Sequence, residues 1–294
     1  MALVLSCRFF IKSRMKMTEF PSDYTLIIKT FERPATLQRL LDSIQLHYPD
    51  TSIIISDDSR THAKPKTRNP LIHQKHEFDI GLSEGRNRAV NAVMTPFVIT
   101  LDDDFVCQHT SFDAMLYGIR HDQAEVIGGR VTSFNDVHGV FSTYKDVNGN
   151  YATILNLCPR VGLETYHLNG REYTITHSMM NFFVAQTQVL RGNPWPSEIK
   201  IGHEHFSFFY RLLRAGVKCA VTSQSIIDHP PITRRGLYRK KRIGRHPDYI
   251  VAGLDAMGVC EFIQKRNEEV FETYKHPEKR FDWATAERVE ELPL

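Results

Sequence analysis

Three consecutive carboxylates are the side chains in this sequence best placed to do chemistry. Asp102, Asp103 and Asp104 directly follow the apolar run of residues 96–101. This pattern predicts a buried strand that delivers acidic side chains to the edge of a sheet. Adjacent carboxylates repel one another, so such a cluster is either solvated on a loop or neutralised by a cation that prefers oxygen ligands, such as Mg²⁺ or Mn²⁺. By itself, the triplet is equally consistent with a plain acidic turn.

A second candidate is the segment His203, Glu204 and His205, which opens an aromatic-rich run that ends at Gly216. The aromatic spacing and the terminal glycine predict a helix. On a helix, two histidines that are two residues apart point about 200° away from each other. They cannot bind one ion together, which argues against a zinc site.

The third candidate is a basic run at residues 234–245, with no acid between Asp228 and Asp248. Such a run is usually a solvated face or a nucleic-acid patch, but the chain has no helix-turn-helix or RNA-binding signature. Because the run follows the last predicted strand of the sheet, a mobile clamp for a diphosphate is an equal alternative.

The elements that must position these residues alternate between strand and helix. An apolar strand at residues 24–29, a proline-initiated helix at 35–44 and a strand at 52–56 predict a β-α-β unit. In an open parallel sheet, the ligand crevice lies outside the carboxyl ends of the strands, which here are polar. The glycines of residues 81–85 match neither G-x-x-x-x-G-K-[ST] nor G-x-G-x-x-G, which argues against an ATPase and a dinucleotide-dependent oxidoreductase.

Beyond the acidic triplet, the pattern predicts a strand at residues 124–131 and an irregular antiparallel excursion at 133–176. Further strands are predicted at 177–185 and 218–222. Residues 261–274 place their apolar side chains on one side of a helical projection, so we predict an amphipathic helix there.

Length and composition limit the class of protein. With 294 residues, 41% hydrophobic and 24% charged, the chain is long enough for one large domain. We predict a poorly ordered leader (1–22), a main domain (23–260), and a C-terminal helix and tail packed on that domain (261–294). A net charge of +3 favours no particular partner, so any anion site must be local. The five cysteines have no paired short spacing, which disfavours a zinc module or a disulfide scaffold and favours a reducing compartment.

The leader begins with an apolar stretch at residues 1–11 that is interrupted by Arg8 and followed by basic residues. A membrane-spanning helix needs about 20 apolar residues, and a signal peptide carries its positive charge in front. We interpret the leader as neither. The expectation is a cytoplasmic protein, with a peripheral membrane contact as the alternative.

Six short motifs occur in the order of a known family. They are Lys29-Thr30-Phe31, Asp57-Asp58-Ser59, Gly85-Arg86-Asn87, Asp102-Asp103-Asp104-Phe105, Asn181-Phe182-Phe183 and Asp228-His229. In this combination, over roughly residues 25–229, the chain resembles GT-A glycosyltransferases of the family 2 type. It resembles more closely the β-1,4-N-acetylgalactosaminyltransferases of the ganglioside GM2/GD2 synthase type. The resemblance implies an α/β fold: a single GT-A domain with helices flanking a mostly parallel central sheet.

The resemblance also implies roles for individual residues. Those expected to contact the nucleotide of a UDP-sugar donor are Thr30, Arg33, Asp58, Arg86 and Asp102, with Arg234 and Arg235 as helpers. Asp104, the second acid of the D-x-D motif, and His229 are the implied ligands of a Mn²⁺ or Mg²⁺ ion that bridges the two phosphates. The ion and nearby cations would stabilise the negative charge that grows on UDP as the sugar–phosphate bond breaks.

An inverting transfer also needs a group that takes the proton of the acceptor hydroxyl, commonly a carboxylate. If the Phe-Phe pair of the predicted helix is aligned with the His-x-Glu-Phe-Phe motif of the relatives, Ser207 stands where the acid is expected. An alignment through Gly202 and Arg211 to the Glu-Asp motif of family 2 gives a different result. It places Glu204 on the glutamate and His205 on the aspartate. We predict Glu204 as the base with His205 as a substitute, and the alternative for Glu204 is a first-turn acid that only favours the helix.

The predicted function is an inverting, metal-dependent transfer of N-acetylgalactosamine, or a related hexose, from a UDP-sugar to a hydroxyl of a glycan or glycolipid. The alternative within enzymes is a family 2 transferase that uses UDP-GlcNAc, UDP-Gal or UDP-Glc. The alternative outside enzymes is an inactive sugar- or nucleotide-binding scaffold, suggested by Ser207. No nucleic-acid partner is expected. Animal relatives are anchored in the Golgi by an N-terminal span, so a Golgi location follows if such an anchor is missing from this chain.

Overall fold

A computed structural model of the chain describes residues 23–132, 138–157, 164–231, 236–243, 245–266 and 269–289, with only the backbone at 242–243. Its first elements are β1 (Tyr24–Thr30), α1 (Pro34–His47), β2 (Ser52–Asp57), β3 (Leu71–Lys75), α2 (Leu82–Ala92) and β4 (Phe97–Asp102). The middle of the chain forms α3 (Asp113–Arg120), β5 (Val126–Val131), β6 (His138–Lys145), β7 (Tyr151–Leu157), β8 (Thr165–Leu168), β9 (Arg171–Thr176), β10 (Ser178–Met179) and β11 (Phe183–Gln186). The last part forms α4 (Thr187–Gly192), α5 (Glu204–Arg214), β12 (Cys219–Ile227), α6 (Gly236–Tyr238), α7 (Ile250–Met257), β13 (Glu261–Arg266), β14 (Glu269–Lys275) and β15 (Glu287–Arg288).

The larger sheet has the strand order β3-β2-β1-β4-β11-β5-β12-β9-β8. Strands β1 to β4 are parallel, and β11 runs antiparallel between β4 and β5, so β5 and its parallel neighbour β12 point the same way as β4. The carboxyl ends of β1, β2, β4 and β12 therefore meet at one edge. The mostly parallel central sheet that the sequence predicts is confirmed.

Both faces of this sheet are covered, which explains why its first strands are continuous apolar runs. Helix α1 starts at a proline in its first turn and buries Leu37, Leu40, Leu41 and Ile44 at helical spacing. One hydrophobic cluster lies between α1 and the face of the sheet that α1 covers. A second cluster lies on the opposite face, which α2 and α5 cover. The second cluster includes Phe141 and Phe262 of the smaller sheet, so both sheets belong to one domain.

The smaller sheet has the order β10-β6-β7-β13-β14, with β15 on the free edge of β6. Its last two strands correct the prediction of an amphipathic helix at residues 261–274, because residues 261–266 and 269–275 form two antiparallel strands that pair with each other. The apolar spacing does fit a helix, but β13 pairs in parallel with residues 152–157 of β7, and this tertiary partner overrides the local pattern. The boundary predicted at residue 260 stays a prediction.

The predicted strand at 177–185 is also interrupted. β10 joins the smaller sheet, whereas β11 joins the larger one, because the chain changes sheets at residues 180–182. This crossover brings Met180 and Asn181 to the ligand edge of the larger sheet.

The predicted leader, residues 1–22, lies outside the described residues. In the part of the chain that the structure covers, no helix combines the length and the hydropathy of a membrane-spanning segment.

Candidate active site

A cleft of about 300 Å³ opens at the carboxyl ends of β1, β4 and β12. Among its lining residues are Lys29, Arg33, Arg86, Asp102, Asp104, Asn181, Glu204, His229 and Tyr238. Most of the side chains predicted from separate sequence motifs therefore converge on one space.

The three acids that follow β4 have three different environments. Asp103 is fully buried and accepts a hydrogen bond of 2.6 Å from the Thr30 hydroxyl, and burial raises its pKa to about 6. Asp104 is also buried, which by itself raises its pKa, but His229 and Arg33 outweigh this effect and lower the pKa to about 2. Asp102 keeps 32% of its side chain exposed. The apolar strand thus places two acids on the cleft and one behind it.

The predicted metal ligands Asp104 and His229 lie together, with 3.6 Å between the carboxylate Oδ2 and the imidazole Nε2. Their proximity depends on the backbone, because Asp228 and Val106 form two hydrogen bonds of 2.9 and 3.2 Å that tie the end of β12 to the loop after β4. A carboxylate oxygen and an imidazole nitrogen together suit Mn²⁺. The pair therefore fits the ion that the resemblance implies.

Asp104 and His229 would fill only two of the coordination positions of such an ion, so most positions would be left to other ligands. Nowhere in the described ranges do three or more His, Cys, Asp or Glu side chains form a group that could hold a metal. Ions such as Mg²⁺ are often bound by one or two carboxylates plus substrate phosphates and water. The donor set at Asp104 and His229 matches that arrangement and not an all-protein cage.

The Arg33 side chain pairs with two of the three acids that follow β4. Its guanidinium donates to both Asp103 and Asp104, the latter at 2.8 Å, and stacks on the Tyr238 ring at 4.2 Å. It follows Glu32, which has a left-handed φ of 56° and accepts a hydrogen bond of 2.6 Å from the Arg60 backbone. This turn at the end of β1 aims the guanidinium at the acidic triplet, whose repulsion it offsets.

Thr30 and Asp58 were predicted to contact the nucleotide, but both side chains are buried behind the cleft lining. The Thr30 hydroxyl is bonded to Asp103, and Asp58 accepts hydrogen bonds from Lys29 and, at 2.9 Å, from the Gly81 backbone. The structure gives them a supporting contact, and their role as nucleotide ligands stays a prediction.

Lys29 is a lining residue to which sequence reasoning gave no role. It is a buried cation at the end of an apolar strand, and α2 covers it closely at Gly85, where a Cβ would lie 2.2 Å from the Lys29 Cε. The signal in the sequence was a lysine inside an otherwise apolar strand, which is unusual unless the charge is paired or used.

Arg86, on the first turns of α2, joins two acids from distant elements. Its guanidinium bonds Asp102 at 3.1 Å, lies 3.5 Å from the Glu204 Oε1, and sits over the Trp195 ring at 5.8 Å. Glu204 is 4% exposed, and its other oxygen, Oε2, has no hydrogen-bond partner among the described residues. A buried carboxylate oxygen without a partner at a cleft is well placed to accept a proton from a ligand hydroxyl.

His205 follows Glu204 in the sequence but is not among the residues that line the cleft. Its Nδ1 is 3.1 Å from the Asn181 Oδ1, and its ring packs edge-on against Phe209 at 4.9 Å. Burial lowers the pKa of His205 to about 4. It also lowers the pKa of His203, which directly precedes Glu204, to about 4. Both imidazoles are therefore neutral at pH 7.

Part of the basic run reaches the cleft. Tyr238 and His246 line it, and Asp79 holds the segment through Arg245 at 2.7 Å and Lys241 at 3.5 Å. None of the Lys and Arg side chains that the structure describes between residues 236 and 245 is among the lining residues, so the clamp stays a prediction. The predicted helpers Arg234 and Arg235 lie outside the described residues.

Asp57 is a buried acid at the end of β2. We expect its replacement by asparagine to destabilise the fold by about 1–3 kcal/mol at pH 7. The fully buried carboxylate accepts backbone hydrogen bonds from Ser59 at 2.9 Å and Ala63 at 2.7 Å and faces His73. Burial raises the pKa of Asp57, but these hydrogen bonds outweigh it, so the pKa lies below its ordinary value.

The pH dependence of this effect has a defined sign. With the folded-state pKa lowered, the stabilisation is complete above the unfolded-state value of about 3.9 and is lost as the pH falls through the folded-state pKa. Urea unfolding at pH 7 and at about pH 3 should therefore show a smaller difference between wild type and Asp57→Asn at the lower pH. Asp42→Asn, at an exposed position of α1, is the control. An equal difference at both pH values would contradict this account.

Comparison with known proteins identifies the family of the chain. Residues 25–186, more than half of the chain, match the family model described as glycosyl transferase family 2. The chain therefore belongs to glycosyltransferase family 2. A structure of TarS 1–349 from S. aureus in complex with UDP-GlcNAc aligns with a TM-score of 0.50 at 13% identity, over 79% of this chain and 66% of that one. This likeness concerns the fold, and the predicted GT-A fold is confirmed.

Curated relatives point to one branch of the family. The chain is 29% identical over 215 residues to β-1,4 N-acetylgalactosaminyltransferase 1 of Homo sapiens and 31% identical over 172 residues to β-1,4 N-acetylgalactosaminyltransferase 2 of Mus musculus. These matches cover 70% and 57% of this chain but only 38% and 32% of the relatives. The chain thus matches about a third of the length of these relatives.

Proposed function

We propose that this chain is an inverting, metal-dependent glycosyltransferase that moves N-acetylgalactosamine from its UDP derivative to a hydroxyl of a glycan. The observation that carries the proposal is the convergence of Asp104, His229, Arg86 and Glu204, from four separate segments, on one cleft. The names of the curated relatives support the choice of sugar.

The cations of the cleft have a role on the donor side. Lys29, Arg33 and Arg86 line the same cleft as the acids, so a bound diphosphate would meet positive charge while its metal partner meets Asp104 and His229. Arg33 now bonds Asp104, and an anionic donor offers it an alternative partner. The ion, when bound, supplies Lewis-acid stabilisation of the leaving diphosphate.

The acceptor side depends on Glu204. The acceptor oxygen forms a bond to the anomeric carbon while its proton passes to the carboxylate. The bond from the anomeric carbon to the phosphate oxygen breaks, and its electron pair leaves with UDP. Arg86 holds both Glu204 and Asp102, so the base keeps a defined position relative to the donor side. The Glu204 Oε2, which has no hydrogen-bond partner among the described residues, is available to accept this proton.

Ser207 was the reason to consider an inactive scaffold. Its side chain is fully buried and donates a hydrogen bond of 3.2 Å to the Gly253 carbonyl, between α5 and α7. A group at this position packs two helices together, whereas Glu204 is the acid of α5 that lines the cleft. This arrangement favours the enzyme over the scaffold.

The test is a calorimetric titration of the purified chain with UDP, with and without Mn²⁺, followed by UDP-GalNAc, UDP-GlcNAc, UDP-Gal and UDP-Glc. We expect UDP to bind measurably when Mn²⁺ is present and UDP-GalNAc to be preferred, with CDP as the control for the base. Preference for another UDP-sugar would contradict the choice of sugar alone. Absence of UDP binding under both conditions would contradict the transferase.

A further inference from the structure

A second cavity, of about 260 Å³, lies beside the donor cleft on the face of the larger sheet that the smaller sheet covers. It is bounded by β5, β9, β12 and the start of β6, and Met180 lines both cavities. The two spaces are therefore neighbours at the crossover between β10 and β11. Its volume is near the lower end of the range for small-molecule pockets, roughly 300–1,000 Å³.

The cavity exists because β12 bulges away from β5. Val221 pairs with Gly128, but the next pair is Ile226 with Arg130, so residues 222–225 stand opposite a single residue of β5. Bulges of this kind are common beside active sites, where they redirect side chains.

Two side chains hold the bulge in place. Gln224 accepts a hydrogen bond of 3.0 Å from the Glu172 backbone and donates one of 3.1 Å to the Gly170 carbonyl, while the Ser225 hydroxyl accepts one of 3.1 Å from the backbone of Met115 on α3. The opening is thus a built feature of the sheet.

The lining has the chemistry of a carbohydrate site. Arg130, Glu172, Thr222 and Ser223 supply donors and acceptors in several directions, and Val221 adds an apolar surface. A guanidinium and a carboxylate each bind two neighbouring hydroxyls well. Among the described lining residues, the guanidinium of Arg130 and the carboxylate of Glu172 have opposite charges, and this pair suits a neutral polyhydroxylated ring better than a diphosphate.

We propose that this cavity binds a sugar unit of the acceptor glycan next to the unit that carries the reacting hydroxyl. The inference rests on the proposed function. Met180 precedes Asn181, whose side chain contacts His205 beside Glu204, so an acceptor that runs over Met180 reaches the base. An acceptor of two or more sugars is then bound in both spaces, whereas a monosaccharide reaches only the first.

The experiment compares acceptors of different length. The probes are mono-, di- and trisaccharides that end in β-galactose or β-N-acetylglucosamine, with UDP-GalNAc as the donor. For the best oligosaccharide and its terminal monosaccharide, acceptor KM is measured in wild type, in Arg130→Ala and in Ser223→Trp, which fills the rim of the cavity. The matched control is Arg171→Ala, on the same sheet but with its guanidinium stacked on Tyr117 at 4.0 Å, away from the cavity.

We expect Arg130→Ala to raise the oligosaccharide KM by roughly 10- to 100-fold, the effect of losing a hydrogen bond to a charged group. Ser223→Trp should act in the same direction. The monosaccharide KM, the donor KM and UDP binding should stay unchanged, as should every value in Arg171→Ala.

The inference and the proposed function can be contradicted separately. If wild type transfers sugar but Arg130→Ala and Ser223→Trp affect mono- and oligosaccharides alike, or neither of them, the inference is wrong and the proposed function stands. If wild type neither transfers sugar nor binds UDP, the proposed function is wrong, and the inference falls with it.

Discussion

Replacement of Asp104 by asparagine should lower kcat/KM for transfer on the order of 10³-fold, because metal polarisation of a leaving phosphate supplies several kcal/mol. Asparagine keeps the shape of the side chain but removes the charge that faces His229 at 3.6 Å and Arg33 at 2.8 Å. The Mn²⁺-dependent part of UDP binding should fall with the activity. Calorimetry with and without Mn²⁺, together with initial rates, measures both.

Asp113→Asn is the matched control, since Asp113 is an exposed acid in the first turn of α3. It should change neither the rate nor the metal dependence. Circular dichroism would show that both variants are folded. Full activity of Asp104→Asn, or loss of activity with unchanged Mn²⁺-dependent UDP binding, would rule out Asp104 as the metal ligand.

Replacement of Glu204 by glutamine should leave UDP binding intact while lowering kcat by about 10²- to 10⁴-fold, the usual contribution of a general base. The amide oxygen can still accept a hydrogen bond from Arg86, so the donor side of the cleft keeps its geometry. What the amide cannot do is take the acceptor proton. Initial rates of transfer and a UDP titration on the same preparation separate the two effects.

Glu84→Gln offers a control of the same chemistry, because Glu84 is the first-turn acid of α2 and pairs with Arg88 at 2.7 Å outside the cleft. If Glu204 were only a first-turn acid, both variants would lose a little stability and neither would lose much activity. Normal transfer by Glu204→Gln would place the base elsewhere. His205 would be a poor replacement, because it is not among the residues that line the cleft and its Nδ1 faces the Asn181 Oδ1 at 3.1 Å.

Local patterns were sufficient where one element meets its neighbours in a regular way. In the first β-α-β unit and in the strand that leads to Asp102, the strands are continuous apolar runs, as expected when both faces of a sheet are covered, and helix α1 has its buried residues at helical spacing. Helix α5 was equally clear from its aromatic spacing and from the glycine beyond its end.

Local patterns failed where a distant strand decided the outcome. Residues 261–274 carry apolar side chains at a spacing that suits a helix, yet the open edge of β7 pairs with β13 along six residue pairs. The strand predicted at 177–185 splits because its two halves find partners in different sheets. β3 was missed because its residues are mostly polar and it lies at the edge of the sheet.

The sequence by itself determined the chemistry available to this protein. It identified Asp104, His229, Arg86 and Glu204 as candidate site residues, because residue types and the order of motifs are properties of the chain alone. Only the tertiary structure decided which side chains share a space. The Arg33 guanidinium pairs with Asp103 and Asp104, and the buried Asp58 pairs with Lys29. The second cavity opens at the bulge of β12. Such contacts join residues far apart in the sequence, and their geometry depends on how strands pair and helices pack, which no local pattern records.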